Sequence, residues 1–135
     1  MNVRHDGLEV ALDIRADLGE GPWWDIATHS LLWLDLFEGR IHSFDPASGQ
    51  NTSISVGQPI GCFALRTDGG ILAAVRDGLG FADRGIDGLE LVSPVEIDNT
   101  ANRANDGVRR GGTVLVRHHG LRPDRRCRNA VPRRR

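Results

Sequence analysis

Ser30-Leu31-Leu32-Trp33-Leu34 and Gly70-Ile71-Leu72-Ala73-Ala74 are matching pieces of chain set 40 residues apart. Each is a short apolar run following a turn, the pattern of a strand inside a sheet. Around the first piece, Trp23-Trp24-Asp25 reads as a short strand, Leu31 to Leu36 as a strand covered on both faces, and Arg40 to Asp45 as an alternating strand. Leu8 to Ile14 places Leu8, Val10, Leu12 and Ile14 on one side and reads as a half-buried strand. Gly19 to Pro22, Ala27 to Ser30, Phe37 to Gly39 and Pro46 to Gly49 read as turns. Around the second piece, strands are expected at Ile60–Arg66, Ile71–Val75, Leu79–Asp83 and Leu89–Val92. Four-strand antiparallel sheets repeating at about 40–45 residues are the pattern of propeller blades, preferred here to an ordinary sandwich.

Composition divides the chain at Gly107. Residues 1–107 hold seven Arg against 17 Asp and Glu, whereas residues 108–135 hold ten Arg against one Asp. The net charge of −1 therefore averages two unlike pieces. Lysine and tyrosine are absent, and 17 Gly with 6 Pro favour a turn-rich β chain over a helical bundle. No apolar stretch approaches the roughly 20 residues of a membrane helix, and the first residues lack a secretory layout. A cytoplasmic protein is the expectation. Cys62 and Cys127 read as two free thiols rather than a disulfide or a metal pair. Phosphate loops and Ser-centred nucleophile elbows are absent.

Two places could carry chemistry. Glu20 stands between two glycines in Leu18-Gly19-Glu20-Gly21-Pro22, where it is either a cation ligand or a solvated turn residue. The second is Asp98 to Gly107, which concentrates Asn102, Arg103, Asn105 and Asp106. In an extended segment Arg103 and Asn105 share a face. A guanidinium fork beside an amide suits the oxygens of a sugar derivative. The same stretch also reads as a polar loop between sheets.

Leu18-Gly19-Glu20-Gly21-Pro22-Trp23-Trp24-Asp25, then Leu32-Trp33-Leu34-Asp35, Gly39-Arg40-Ile41-His42, Phe63-Ala64-Leu65-Arg66 with Asp68-Gly69-Gly70, and Asn102-Arg103-Ala104-Asn105-Asp106-Gly107 occur in one order. Together they resemble the senescence-marker-protein/gluconolactonase/luciferin-regenerating-enzyme family. The resemblance implies an all-β fold, with residues 1–107 as about two blades of a six-bladed β-propeller. It implies hydrolysis of a small sugar lactone and one divalent cation, calcium first, with zinc or manganese as alternatives. Glu20 would be a metal ligand, and Arg103 and Asn105 would bind substrate. The family's later cation ligands and its acid/base residue would lie in blades outside this sequence. The expected reading is a truncated lactonase, inactive alone. The alternative is a small non-enzymatic β protein whose basic tail recruits an acidic partner. Nucleic acid is an unfavoured partner, because no aromatic residue is interleaved among the arginines.

Residues 108–135 are expected to be an irregular, disordered Arg-rich tail. Thr113 through Leu121, written in GC-favouring codons and shifted by one nucleotide, can read Arg-Phe-Trp-Phe-Gly-Thr-Met-Ala, a strand of the family's type. The hypothesis is a frameshift near residue 108. Sequencing the coding DNA from codon 107 onward is expected to show an open shifted frame with such strands; stop codons there would overturn it.

Overall fold

The computed structural model describes residues 7–110 and 113–120. Ten antiparallel strands form three sheets, with no helix among the described residues. Sheet one is β1 (Gly19–Asp25), β2 (Ser30–Asp35), β3 (Arg40–Asp45) and β4 (Gln50–Ser55), in sequence order. Sheet two is β5 (Ile60–Leu65), β6 (Ile71–Val75), β7 (Gly78–Ala82) and β8 (Glu90–Pro94), again in order. β9 (Asn102–Arg110) and β10 (Thr113–Gly120) form a hairpin. The two matching pieces of sequence are the second strands of sheets one and two, so the 40-residue spacing is a repeat of whole sheets.

Local chemistry explains the turns of sheet one. Asp25, Asp35 and Asp45 each end a strand, and a four-residue turn follows each one. Asp25 Oδ1 accepts the Ala27 N–H (3.1 Å), and Asp25 Oδ2 accepts the Thr28 hydroxyl (2.6 Å). Asp45 repeats this with the Ala47 N–H (2.8 Å) and the Ser48 hydroxyl (2.7 Å). These are Asx-type turns. Asp35 is used differently: its carboxylate takes the N–H groups of Asp17 (2.9 Å) and Leu18 (3.3 Å), pinning the segment ahead of β1. The last turn residue is left-handed in all three hairpins: His29 (φ 50), Gly39 (φ 62) and Gly49 (φ 71).

Sheets one and two close over one core. Leu34, Ile41 and Ile54 sit at consecutive register positions across β2, β3 and β4. Ile60, Ile71, Ala73, Val75 and Ala82 complete the core from sheet two, and Val56 joins it from the linker. Removing a Leu or Ile side chain of this kind from water contributes about 1.5–3 kcal/mol. Polar ties reinforce the seam. The Ile60 N–H donates to the Leu36 carbonyl (3.0 Å), the Gly88 N–H to the Ser55 carbonyl (2.8 Å), and Arg84 pairs with Asp25 (2.7 Å) across 59 residues.

Four expectations change. Residues 8–14 form no strand; Leu8 is 71% and Val10 80% exposed. Alternation makes a strand only where a sheet receives it, and no described strand pairs with this segment. Gly19 to Pro22 is not a separate turn but part of β1, which is bulged between Glu20 and Trp23. β4 went unrecognised because Gln50 to Ser55 is polar throughout except for Ile54. Regular structure does not end at Gly107: residues 108–110 continue β9 and residues 113–120 pair with it, so this part is not irregular. Backbone pairing formed there although the side chains show no continuous apolar period. Residues 121–135, with Cys127, lie outside the described residues.

His29 is exposed and occupies the position that the next two hairpins give to glycine. His29→Gly is expected to stabilise the chain by about 0.5–1 kcal/mol, because the left-handed conformation strains a residue with a Cβ. Gly39→Ala is expected to do the opposite, since the Gln58 carbonyl occupies the space a Cβ would take. Urea-unfolding midpoints measure both.

Candidate active site

The first strands of the three sheets, β1, β5 and β9, build the candidate site. Each carries one unpaired extra residue. In β1 the irregularity spans Gly21 and Pro22, in β5 it falls at Gly61, and in β9 at Asn105. Bulges bend a strand and redirect side chains, and they recur beside functional sites. Gly21 is left-handed (φ 63) and holds Glu20 just ahead of the bend.

A cavity of ≈ 340 Å³ opens between these strands. Its wall takes Glu20 to Trp23 from β1, Gly61 to Leu65 from β5, and Asp106 to Val108 from β9. The two carboxylates, Glu20 and Asp106, are exposed. Leu72, Leu79 and Phe63 make much of the rest apolar. Cys62 has its thiol pushed up to about 12, first by burial and then by the Asp106 carboxylate. It is therefore a protonated thiol at neutral pH, inert as a nucleophile.

Arg103 is 8% exposed. Its Nη1 donates to Asn105 Oδ1 (3.2 Å) and to the Ala104 carbonyl (3.2 Å). Its guanidinium carbon lies 5.3 Å from the centre of the Phe37 ring, a cation–π contact. Arg103 Nε is buried with no hydrogen-bond partner among the described residues, so a donor is held in place and unspent. An unpaired buried donor costs about 1–3 kcal/mol, and such groups call for a functional account.

The structure thus joins Arg103 to Asn105, as their spacing implied. It does not put that pair on the wall of the Glu20 cavity, where β9 contributes Asp106 instead. Sequence reasoning missed the roles of Gly61, Phe37 and Cys62. Gly61 could have been found, because an isolated glycine within a strand marks a bulge or a close approach. A Cβ there would strike the Ala104 carbonyl and crowd the Asn105 nitrogen of β9.

Cation binding finds only part of what it needs. A hard divalent cation takes about six to eight oxygen ligands. Glu20 is chemically suited to be one of them. However, no group of three or more His, Cys, Asp or Glu side chains that could hold a metal occurs among the described residues. These residues do not amount to a cation site.

Repeated four-stranded antiparallel sheets, with a carboxylate, an amide and a guanidinium on their first strands, define a class of all-β proteins. Comparison with known proteins specifies it further. The family described as "SMP-30/Gluconolactonase/LRE-like region" matches residues 18–119. The chain belongs to this family. It is 38% identical over 66 residues to a 6-deoxy-6-sulfogluconolactonase of Pseudomonas putida, covering 49% of this chain and 23% of that protein. It is 31% identical over 90 residues to regucalcin of Xenopus laevis, covering 67% and 30% respectively. Among solved structures it is similar to a calcium-binding protein, regucalcin, of Agrobacterium tumefaciens, with TM-score 0.75 and 30% identity over 82% of this chain and 38% of that one. The chain spans about a quarter to a third of the length of the curated relatives it matches.

Gly61→Val is expected to push β9 off β5 and lower stability by about 1–3 kcal/mol. Gly19→Ala, whose Cβ would make only ordinary contacts with Ala16 and Trp33 at 3.8 Å, is expected to stay within about 0.5 kcal/mol of the parent. Equal effects in urea melts would contradict the close approach.

Proposed function

We propose that this chain forms the opening two blades of a six-bladed, metal-dependent hydrolase of small sugar lactones, and that it is inactive unaided. The observation that carries the reading is the buried Arg103, bonded to the half-buried Asn105 and keeping a spare Nε donor, within a chain of a gluconolactonase-type family. A lactone offers a carbonyl oxygen, a ring oxygen and hydroxyls. Arg103 Nε would donate to one of these oxygens. The Asn105 amide, already accepting from Arg103, keeps its NH₂ for another. Two fixed donors orient the ring, and orientation lowers the entropic part of the barrier. Glu20, exposed in the neighbouring cavity, would be this chain's contribution to a divalent cation, with calcium the first choice. Such a cation, when bound, supplies Lewis-acid polarisation and a more acidic water. Because Glu20 has too few companions here, the reading places the remaining ligands in blades beyond this sequence.

Gluconolactone hydrolysis with added calcium tests the proposal. The chain alone is expected to show only the background rate. A version continued in the shifted frame is expected to be active, to lose activity on Glu20→Gln or chelation, and to show a raised KM on Arg103→Met. Turnover by the chain alone, or indifference of the continued version to Glu20→Gln, would overturn the reading. Salt-sensitive capture of an acidic partner without turnover in either form would favour a binding protein instead.

A further inference from the structure

A second cavity, again of ≈ 340 Å³, lies between sheets one and two and shares no lining residue with the Glu20 cavity. Thr28 and Ser48, from the β1–β2 and β3–β4 turns, line it on sheet one; Arg84 and Gly85, which follow β7, line it on sheet two. Its apolar lining is Leu32, Ile41, Ile54 and Ile71, all buried. Ser30, Ser43 and Thr52 set hydroxyls beside them. An apolar wall with a few convergent polar groups is the usual make-up of a small-molecule site.

The hydroxyl protons here have a settled direction. Each hydroxyl has one proton to donate and two lone pairs. Thr28 gives its proton to the Asp25 carboxylate (2.6 Å). Its bond with Ser30 (2.7 Å) must then be donated by Ser30. Ser30, its proton spent, accepts that of Ser43 (3.2 Å). All three protons run toward Asp25, and each bond polarises the next. Ser43 ends this chain and accepts no hydrogen bond among the described residues. It is therefore left as an acceptor on the cavity wall. Arg84 is its complement. Two of its five N–H groups go to Asp25 Oδ2 (2.7 Å) and Thr28 Oγ1 (3.3 Å), and others are unspent.

Charge narrows the ligand. The carboxylates of Asp25 and Asp45 stand against the one guanidinium, so an anion gains little. Both carboxylates already accept hydrogen bonds from their own turns, so a cation finds neither one free. His42, also on the wall, has its pKa pushed below the ordinary value by burial and adds no charge at neutral pH. A wholly apolar molecule would leave Ser43 and Arg84 unmatched. Uncharged groups that both donate and accept, carried on a carbon frame that can lie against Leu32 and Ile71, meet every requirement.

We propose that this cavity binds a small neutral polyol of the cyclitol or monosaccharide class, with one hydroxyl donating to Ser43 Oγ and another accepting from the Arg84 guanidinium. The site uses no residue of the Glu20 cavity or of the Arg103–Asn105 pair, so it stands apart from the hydrolase reading.

Titration of the ¹⁵N-labelled full chain with myo-inositol, followed through its amide shifts, tests this. Saturable shifts centred on Ser43 and Thr52 are expected. Inorganic phosphate is expected to produce none. Ser43→Ala is expected to weaken binding about threefold to tenfold, the loss of one hydrogen bond. Thr52→Phe, at an exposed position opposite Ser43, is expected to fill the cavity and abolish binding with the β signal in circular dichroism unchanged. A parent without saturable shifts would overturn the proposal, as would shifts centred on Gly61 and Asp106. Tighter binding of phosphate than of inositol, or undiminished inositol binding by Ser43→Ala or Thr52→Phe, would do the same.

Discussion

The seam between the first two sheets is the constraint on which the rest depends. Leu34, Ile41 and Ile54 on one side meet Ile60, Ile71, Ala73, Val75 and Ala82 on the other. No single sheet here could fold usefully, because each has an apolar face that only the next sheet covers. A backbone hydrogen bond ties Ile60 of sheet two to Leu36 of sheet one, and Arg84 reaches back to Asp25. Thr28, foremost, and then Arg84 and the Ala27 N–H keep the Asp25 carboxyl below its usual range, against the opposing effect of its burial. The Asp25 side of this ion pair is therefore ionised at neutral pH. Because β5 is fixed by this seam, β9 can be placed against β5.

That dependence explains why Gly61 matters more than its size suggests. It belongs to the sheet that the seam fixes, and the backbone of β9 lies where its side chain would be. Arg103 and Asn105 are thus positioned through a contact of backbone on backbone, which leaves little slack for a guanidinium that must sit buried with an unspent donor. The stacked rings of Trp33 and His42, 3.9 Å between centroids, belong to sheet one and leave this arrangement untouched.

Much of the fold was legible, in proportion to how local its causes are. β3 and β6 have the bounds expected because alternation, flanking turns and burial agree there. Where the cause is not local, reading failed. β4 is a strand because β3 offers it an edge, not because Gln50 to Ser55 looks like one. Leu8 to Ile14 looks like a strand and lacks the edge. The pairing of residues 113–120 with β9 obeys the same rule, since backbone groups pair wherever geometry allows, whatever the side-chain period. For the site, two-residue spacing was enough to join Arg103 to Asn105. It could not show that a bulge falls at Asn105, nor that Asp106 would share a cavity with Glu20, because both follow from how three strands from distant parts of the chain converge.

The charge break at Gly107 acquires a physical meaning from this. The acidic side chains of the first two sheets are largely spent on structure: Asp25, Asp35, Asp45, Asp77 and Asp87 all accept hydrogen bonds that shape turns or link segments. Among the acids that are not spent so, Glu9 and Asp13 stand exposed ahead of the first sheet, and Glu20 faces the cavity. Of the arginines beyond Gly107, Arg109, Arg110 and Arg117 fall within β9 and β10, and the others lie outside the described residues. Opposite charges of this kind attract mainly where desolvation or close approach lifts them above solvent screening.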